Sequence, residues 1–318
     1  MRLLLLVLGF AASVAHAQPY PNKPIHVLVP FAPGGAVDTT ARVLAQAMQQ
    51  RVNWQFVIEN RPGGNGFIAT TAVAKAAPDG YTLLMAHTGE FAVNPALFDN
   101  VPYELERDFL PITMVSDSPM LYLATAKAPF NTFQELVAQA KAKPGSITYG
   151  SAGNGSINHL AGEWLAQAAG IQLVHVPYKG GAPAAQAVAA GDVHFGVMAA
   201  PGAMPHIKSG RGKVIGITTA KKSPLDPSWA TPRDAGIPDL DASIWVGLFA
   251  PKGTPPAIVD QINKEVRETL KSPDVQKRFI ESAGGEAVGM TPAEFLARIK
   301  SDAERYKRVI KAANVKPG

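Results

Sequence analysis

Apolar residues in this chain fall into short unbroken runs, separated by longer stretches where they return every three or four positions. The short runs predict strands at Ile25 to Phe31, Phe56 to Asn60, Tyr81 to Ala86, Leu121 to Ala126 and Ile147 to Gly150. Four more follow at Leu173 to Pro177, Phe195 to Ala199, Val214 to Thr219 and Val246 to Ala250. Between them the 3.6-residue spacing predicts helices at Val37 to Arg51, Phe67 to Ala76, Thr132 to Lys143, Ser156 to Ala169 and Ala182 to Ala190. Such alternation predicts α/β architecture with parallel sheets covered on both faces. After Val246 to Ala250 the pattern changes to three successive helices. One begins at Pro255-Pro256, one at Ser272-Pro273, and one at Thr291-Pro-Ala-Glu294, which has the form of a capping box. Their charges read as solvated faces.

Three strand-to-helix junctions are rich in glycine: Val29-Pro-Phe-Ala-Pro-Gly-Gly-Ala-Val-Asp38, Glu59-Asn-Arg-Pro-Gly-Gly-Asn-Gly66 and Tyr149-Gly-Ser-Ala-Gly-Asn-Gly-Ser156. Glycine turns the backbone sharply and leaves amide N–H groups bare, and a helix that starts there points its positive end at an anion. Three such turns predict a cleft that cradles a carboxylate or phosphate.

The amino end places the protein. Arg2, the apolar run Leu3 to Ala12 and the closing Ala15-His-Ala17 read as a secretory signal peptide cut after Ala17. The run is shorter than the ~20 residues of a membrane-spanning helix. The chain has no cysteine, so neither disulfides nor a lipid-modified terminal Cys is expected, and the bacterial periplasm fits best. The formal net charge of +5, one less once Arg2 is removed, is spread along the chain. No nucleic-acid patch is expected. Residues 18–318 are enough for two domains of ordinary size.

Enzyme signatures fail in turn. Ser151 lacks the Gly-x-Ser-x-Gly elbow, because Tyr149 stands two residues before it. There is no P-loop, and the seven His residues show no metal-ligand spacing, so no metal or cofactor is expected. Gly64-Asn-Gly66-Phe-Ile-Ala69 matches a loose dinucleotide fingerprint, but the acidic residue due about twenty positions on is not convincingly placed.

Taken in order, Val29 to Asp38, Glu59 to Gly64, Pro78-Asp-Gly-Tyr-Thr-Leu83, Asn94-Pro-Ala-Leu97, Tyr149 to Ser156 with His159-Leu160, and Pro177-Tyr-Lys-Gly180 resemble the solute-binding proteins of tripartite tricarboxylate transporters, the Bug family. The resemblance spans all of residues 18–318. It implies a type II-like periplasmic binding protein, with two doubly wound α/β domains, a hinge and an interdomain ligand cleft. Residues 18–124 with 241–318 would form the first domain and 125–240 an inserted second one. It also implies a monomer that is not an enzyme, binds one small organic acid and delivers it to membrane permease subunits. A ligand-binding component of a membrane signalling system would share the fold, and a secreted α/β enzyme is the remaining alternative.

Carried onto this chain, the resemblance implies a carboxylate held through backbone groups and ordered water at Phe31, Ala32, Pro33, Gly34, Gly35 and Asp38. Asp38 itself suits helix capping or water fixing better than direct contact. The second domain would contribute Ser151, Gly153, Asn154 and Ser156, with Ser156 alternatively a simple helix cap, and Tyr178 and Gly180 as a further wall. Lys179 is expected to be exposed. Two departures bear on specificity. In His87-Thr88-Gly-Glu90-Phe91, Glu90 stands where relatives commonly have a small hydroxyl residue. A carboxylate there would repel a second acid group and favour an amine, amide or hydroxyl on the ligand, unless Glu90 is an exposed loop residue. At Val197-Met-Ala199-Ala-Pro201 the wall is apolar, which suits an aromatic or less polar acid. His87 and Phe91 would then either line this pocket or form core beneath the loop.

Overall fold

The computed structural model describes residues 20–237 and 240–317. The expected signal peptide lies outside the described residues. The first half of the chain contains β1 (Ile25–Val29), α1 (Ala36–Val52), β2 (Phe56–Asn60), α2 (Phe67–Ala74) and β3 (Thr82–His87). A π-turn at Gly89–Val93, α3 (Asn94–Leu97), α4 (Leu105–Asp108) and the long β4 (Phe109–Thr125) follow. Next come α5 (Phe133–Ala142), β5 (Ile147–Ser151), α6 (Ile157–Ala169), β6 (Leu173–Pro177), α7 (Gly181–Ala190), β7 (Phe195–Ala199), α8 (Ala200–Lys208) and β8 (Gly212–Ile217). The chain closes with β9 (Ser243–Pro251), α9 (Pro256–Leu270), α10 (Pro273–Ala283), β10 (Glu286–Ala287) and α11 (Pro292–Ala313).

The strands line up in the order β2-β1-β3-β9-β4-β7-β5-β6, with β8 and β10 also paired to β4. At the two ends the sheet is parallel: β1 with β2 and β3, and β5 with β6 and β7. The centre is antiparallel, because β4 runs against β9, β7, β8 and β10. The expectation of parallel sheets therefore needs correcting in the middle of the molecule. Parallel neighbours need a crossover, and helices supply it at both ends; β4 and β9 are the strands by which the chain passes between the two ends.

The expected strand Leu121 to Ala126 is only the last part of β4. Its first part carries Ser116, Asp117, Ser118 and Pro119, which break the apolar run in the sequence. Those polar groups are nevertheless buried or half-buried and partnered across the fold. The Ser116 and Thr40 hydroxyls lie 3.2 Å apart, and Asp117 faces Arg298 of α11 at 3.4 Å. Burial pushes the Asp117 carboxyl up, against the pull of Arg298.

Two segments cross between the halves of the sheet, near Met120 and near Ala242, and Thr218 joins them. Its hydroxyl accepts from Met120 N (2.9 Å) and donates to the Ala242 carbonyl, while its own amide donates to the Met120 carbonyl (3.0 Å). From outside, α11 grips the same place. Arg298 binds Asp302 (2.7 Å) and the Ser243 hydroxyl (3.0 Å), and Arg305 donates to the Asp241 carbonyl (2.8 Å). The capping box that opens α11 is formed as expected, with Thr291 and Glu294 exchanging side-chain and backbone bonds.

Helix α11 rests on β9 through Phe295, the tip of whose ring is so close to Gly247 that a methyl group added there would overlap it. We expect Gly247→Ala to destabilise the protein by ~1–3 kcal/mol, the usual cost of overpacking a tight core. The readout is the urea midpoint, and an unchanged midpoint would show that this contact is slack.

Candidate functional site

The carboxyl ends of the parallel strands carry the predicted turns. Val29 ends β1, and the chain passes through Phe31, Ala32, Pro33 and Gly34 to Gly35, which starts α1. Ala32 to Gly35 are exposed, and Gly34 has φ +85°, a conformation that favours glycine. No side chain caps α1, so the amides of its first turn stay open to an incoming acceptor. Asp38 does not stand in the way. It is 3% exposed, and its carboxylate turns back to accept from Gly34 N (2.9 Å), Asn60 Nδ2 (2.9 Å) and Arg42 Nε (3.0 Å to each oxygen). Burial alone would push this carboxyl up, but the bonds from Arg42, Gly34 and Asn60 outweigh it and hold the group below its ordinary range. Asn60 also donates to the Phe31 carbonyl (2.9 Å), which ties the turn to the end of β2. Asn60 was quoted only as part of a motif; its position at the end of β2, next to β1, is what recruits it.

The end of β3 holds a second group of residues. Thr88 is fully buried, its hydroxyl donating to the Ser243 carbonyl (3.3 Å) and accepting from Trp245 N (3.1 Å). Its hydroxyl is thereby committed to β9 rather than turned to a ligand. Glu90 is likewise fully buried, which removes the reading of an exposed loop residue. Its Oε2 accepts from His87 N (2.9 Å) and lies 2.8 Å from His87 Nδ1, while Oε1 has no hydrogen-bond partner and packs against Gly66. Phe91 belongs to the core, ringed by Tyr103, Phe109 and Phe249. His87 remains partly exposed and sits beside Phe31, with ring centroids 4.5 Å apart. The first turn thus gains an imidazole neighbour that the sequence reading left undecided between pocket and core.

In the other half, β5 ends at Ser151. This side chain is fully buried, with Oγ 2.6 Å from His175 Nε2 and accepting from Gly153 N (3.1 Å). Ser156 caps α6, accepting from His159 N (3.2 Å) and donating to the Gly153 carbonyl (2.7 Å). Both hydroxyls expected to face a ligand are therefore engaged by the protein. Asn154 is exposed, and Tyr178 and Gly180 are half-buried. Tyr178 N donates to the Ser151 carbonyl and Gly180 N to the Ala152 carbonyl (3.1 Å each), which joins the two turns. Helix α7, starting at Gly180, and α8, starting at Ala199, have no side-chain cap, like α1. Lys179 is exposed, as expected.

The two halves meet where Leu97 of α3 packs on Gly155. Two grooves, of about 380 and 390 Å³, lie elsewhere: one between Ala200, Met204 and Gly284, the other between Glu163, Gly170 and Ala313. Neither is lined by the Pro33-Gly34-Gly35 turn. Among the described residues, no group of three His, Cys, Asp or Glu side chains is arranged to hold a metal ion.

This arrangement, with anion-ready turns on two halves joined by a double crossing, has known counterparts. Residues 40–315 match the tripartite tricarboxylate transporter family receptor. The chain belongs to that family. It is similar to the protein BugT of Bordetella pertussis, 35% identical over 97% of this chain and 94% of that protein. Among solved structures it is similar to R. palustris Rpa4515 with adipate, with a TM-score of 0.88, 31% identity and coverage of 94% of this chain and all of that one. It is also similar to MatC from Rhodopseudomonas palustris with bound malate, with a TM-score of 0.81, 31% identity and coverage of 92% of this chain and all of that one. Members of the family are binding receptors, not enzymes. This receptor therefore needs a site that holds and releases, and turns of open amides meet that need without a reactive group.

Behind Ser151, the rings of His175 and His159 stack 3.8 Å apart, and Glu163 accepts from Tyr149 Oη (2.6 Å). Burial, and after it the neighbouring His159, pushes the His175 imidazole down to about 4, with Glu163 opposing. In the unfolded chain the ring titrates near its ordinary ~6.5. Because the folded value is the lower one, His175 contributes stability that is fully present above ~6.5 and is lost as the pH falls towards 4. We expect His175→Gln to flatten the fall of the melting temperature between pH 6.5 and 4. A melting curve series over that window checks it, and an unchanged slope would show that the stacked pair does not drive the loss.

Proposed function

We propose that this receptor is a periplasmic solute-binding protein that captures one small organic carboxylate and delivers it to the permease subunits of a tripartite transporter. In this reading residues 1–17 direct export and are cut after Ala17. Residues 18–124 with 241–318 form one lobe and 125–240 the other, and the protein works as a monomer. The observation that carries the proposal is the turn Phe31 to Gly35: exposed glycines lead into an uncapped helix, and the nearby Asp38 carboxylate is turned away and matched by Arg42 and Asn60. A carboxylate placed there meets the positive end of α1, with Asp38 turned away and the Glu90 carboxyl buried behind His87. Across the cleft, Asn154, Tyr178, and the uncapped starts of α7 and α8 at Gly180 and Ala199 are the proposed second contacts. Similarity to proteins solved with adipate and with malate supports the same ligand class. Two lobes joined by two crossing segments would close when a ligand binds the closed form better than the open one.

The test is a thermal-shift screen of the exported form, unfolded and refolded to remove carried-over ligand, against dicarboxylates, tricarboxylates, aromatic acids and amino acids. An acid at 100 times its Kd stabilises by ~2.7 kcal/mol, a clear rise in melting temperature. Gly35→Val should remove that rise while leaving the unliganded melting temperature nearly unchanged. Gly35 has an ordinary φ of −80°, and a Cβ there meets only the Ala32 carbonyl, at 3.7 Å. A response to neutral solutes alone would defeat the carboxylate reading. Delivery is checked separately, by whether deleting the gene abolishes cellular uptake of the acid.

A further inference from the structure

The buried Glu90 carboxyl has one oxygen committed to His87 and the other without a hydrogen-bond partner, and among the described residues no Lys or Arg bonds to it. Leaving a carboxyl oxygen unsatisfied in a dry site is costly, so its retention calls for a role. The surrounding bonds define that role. Gly89 N donates to His87 Nδ1 (2.9 Å), and Glu90 Oε2 lies 2.8 Å from the same nitrogen. Nδ1 thus accepts from the Gly89 amide with the Glu90 carboxyl packed beside it, and the ring nitrogen left to carry N–H outward is Nε2. The ring can fold back this way only because residue 89 is glycine; a Cβ there would strike the ring. The imidazole is held between this buried clamp and Phe31, whose backbone begins the glycine turn.

We propose that His87 is a ligand-contacting residue whose Nε2–H donates to a carboxylate seated at the Phe31 to Gly35 turn, and that Glu90 is the positioning residue that fixes the ring and its tautomer. This deepens the carboxylate reading above and rests on it. The ligand class follows. The site offers a side-chain donor to an anionic oxygen, so a bare carboxylate is preferred over an ammonium group at this end. The repulsion of acids expected from Glu90 does not arise, because its carboxyl is buried and faces inward, against His87 and Gly66. Loss of the donor should weaken binding at least tenfold, as charge-assisted hydrogen bonds to carboxylates are among the stronger ones.

The experiment is a double-mutant cycle, with Kd measured calorimetrically for malate and adipate in the wild type, His87→Phe, Glu90→Gln and the double variant. Phenylalanine keeps an aromatic ring against Phe31. Glutamine keeps the side-chain volume, but its oxygen cannot donate to Nδ1 and its nitrogen cannot accept from His87 N, so no single atom replaces Oε2. We expect at least a tenfold rise in Kd for His87→Phe, at least a threefold rise for Glu90→Gln, and no further loss when Glu90→Gln is added to His87→Phe. Nitrogen-15 spectra of labelled histidine should show a protonated Nε2 at His87 that shifts on adding the acid, and this signature should change in Glu90→Gln. Unchanged affinity in His87→Phe, with binding still lost in Gly35→Val, would overturn the His87 contact while leaving the carboxylate turn intact. An equal loss from Glu90→Gln in both backgrounds would overturn the positioning role, because Glu90 would then act without the imidazole. If neither these two acids nor any other acid binds the wild type, this inference falls together with the reading it rests on.

Discussion

The hydroxyl of Thr218 sits where the two crossing segments run side by side, and the geometry of the candidate site depends on that junction. Next to the last β4–β9 pair, Pro119 and Ser243, Thr218 bridges Met120 and Ala242: its hydroxyl satisfies a buried amide of the first and a buried carbonyl of the second, and its backbone bonds both again. Without it both groups would be left unpaired inside the protein, at ~1–3 kcal/mol each. Everything on one side, including the turn at Gly34-Gly35, is thereby held relative to everything on the other, including Tyr178, Gly180 and Ala199. Helix α11 reinforces the junction from outside. Arg298 answers Asp117, Ser243 and Asp302, and Arg305 answers Asp241, so three acidic groups share two cations at the crossing.

How much of this was legible in the sequence can be judged element by element. The order β1, glycine turn, α1 was readable because an apolar run of strand length meets Pro-Gly-Gly and then a helical period, and each signal is local. The box at Thr291 and Glu294 was readable for the same reason. The long β4 was not. Ser116, Asp117, Ser118 and Pro119 imitate a turn, and their partners, Thr40, Arg298 and Ser243, come from helices and a strand far away in the chain. The same limit explains the antiparallel centre: strand direction depends on where the chain crosses, and no periodicity records that.

The candidate site shows the division more sharply. The positions of the turns were legible, but the directions of their side chains were not. Thr88, Glu90 and Ser151 all turn inward, each held by a partner that the turn motifs do not identify: Ser243 and Trp245, His87, and His175. The backbone did what its glycines promised, while the polar side chains took structural work. One local signal for His87 existed, since a glycine two residues on leaves room for the ring to fold back, but its meaning depends on the buried carboxyl at Glu90.

This division of labour bears on how such a site can discriminate yet release. A full side-chain cation would hold a carboxylate strongly, whereas an open helix start contributes about half a unit charge, fixed in place and without side-chain entropy to lose. The starts of α1 and α7 are of this kind, α8 offers fewer amides because its second residue is Pro201, and α6 is closed by Ser156. In the proposed cleft, recognition from the second lobe therefore comes mainly from the turns after β6 and β7, with the exposed Asn154 as the side chain that the serine-rich turn contributes. The two halves touch through apolar contacts, Leu97 on Gly155 and the Trp164 ring of α6 against Tyr306 of α11. Closure would then draw its free energy from the ligand's contacts with both sets of amides at once, and a ligand too short to reach both would bind without closing the lobes.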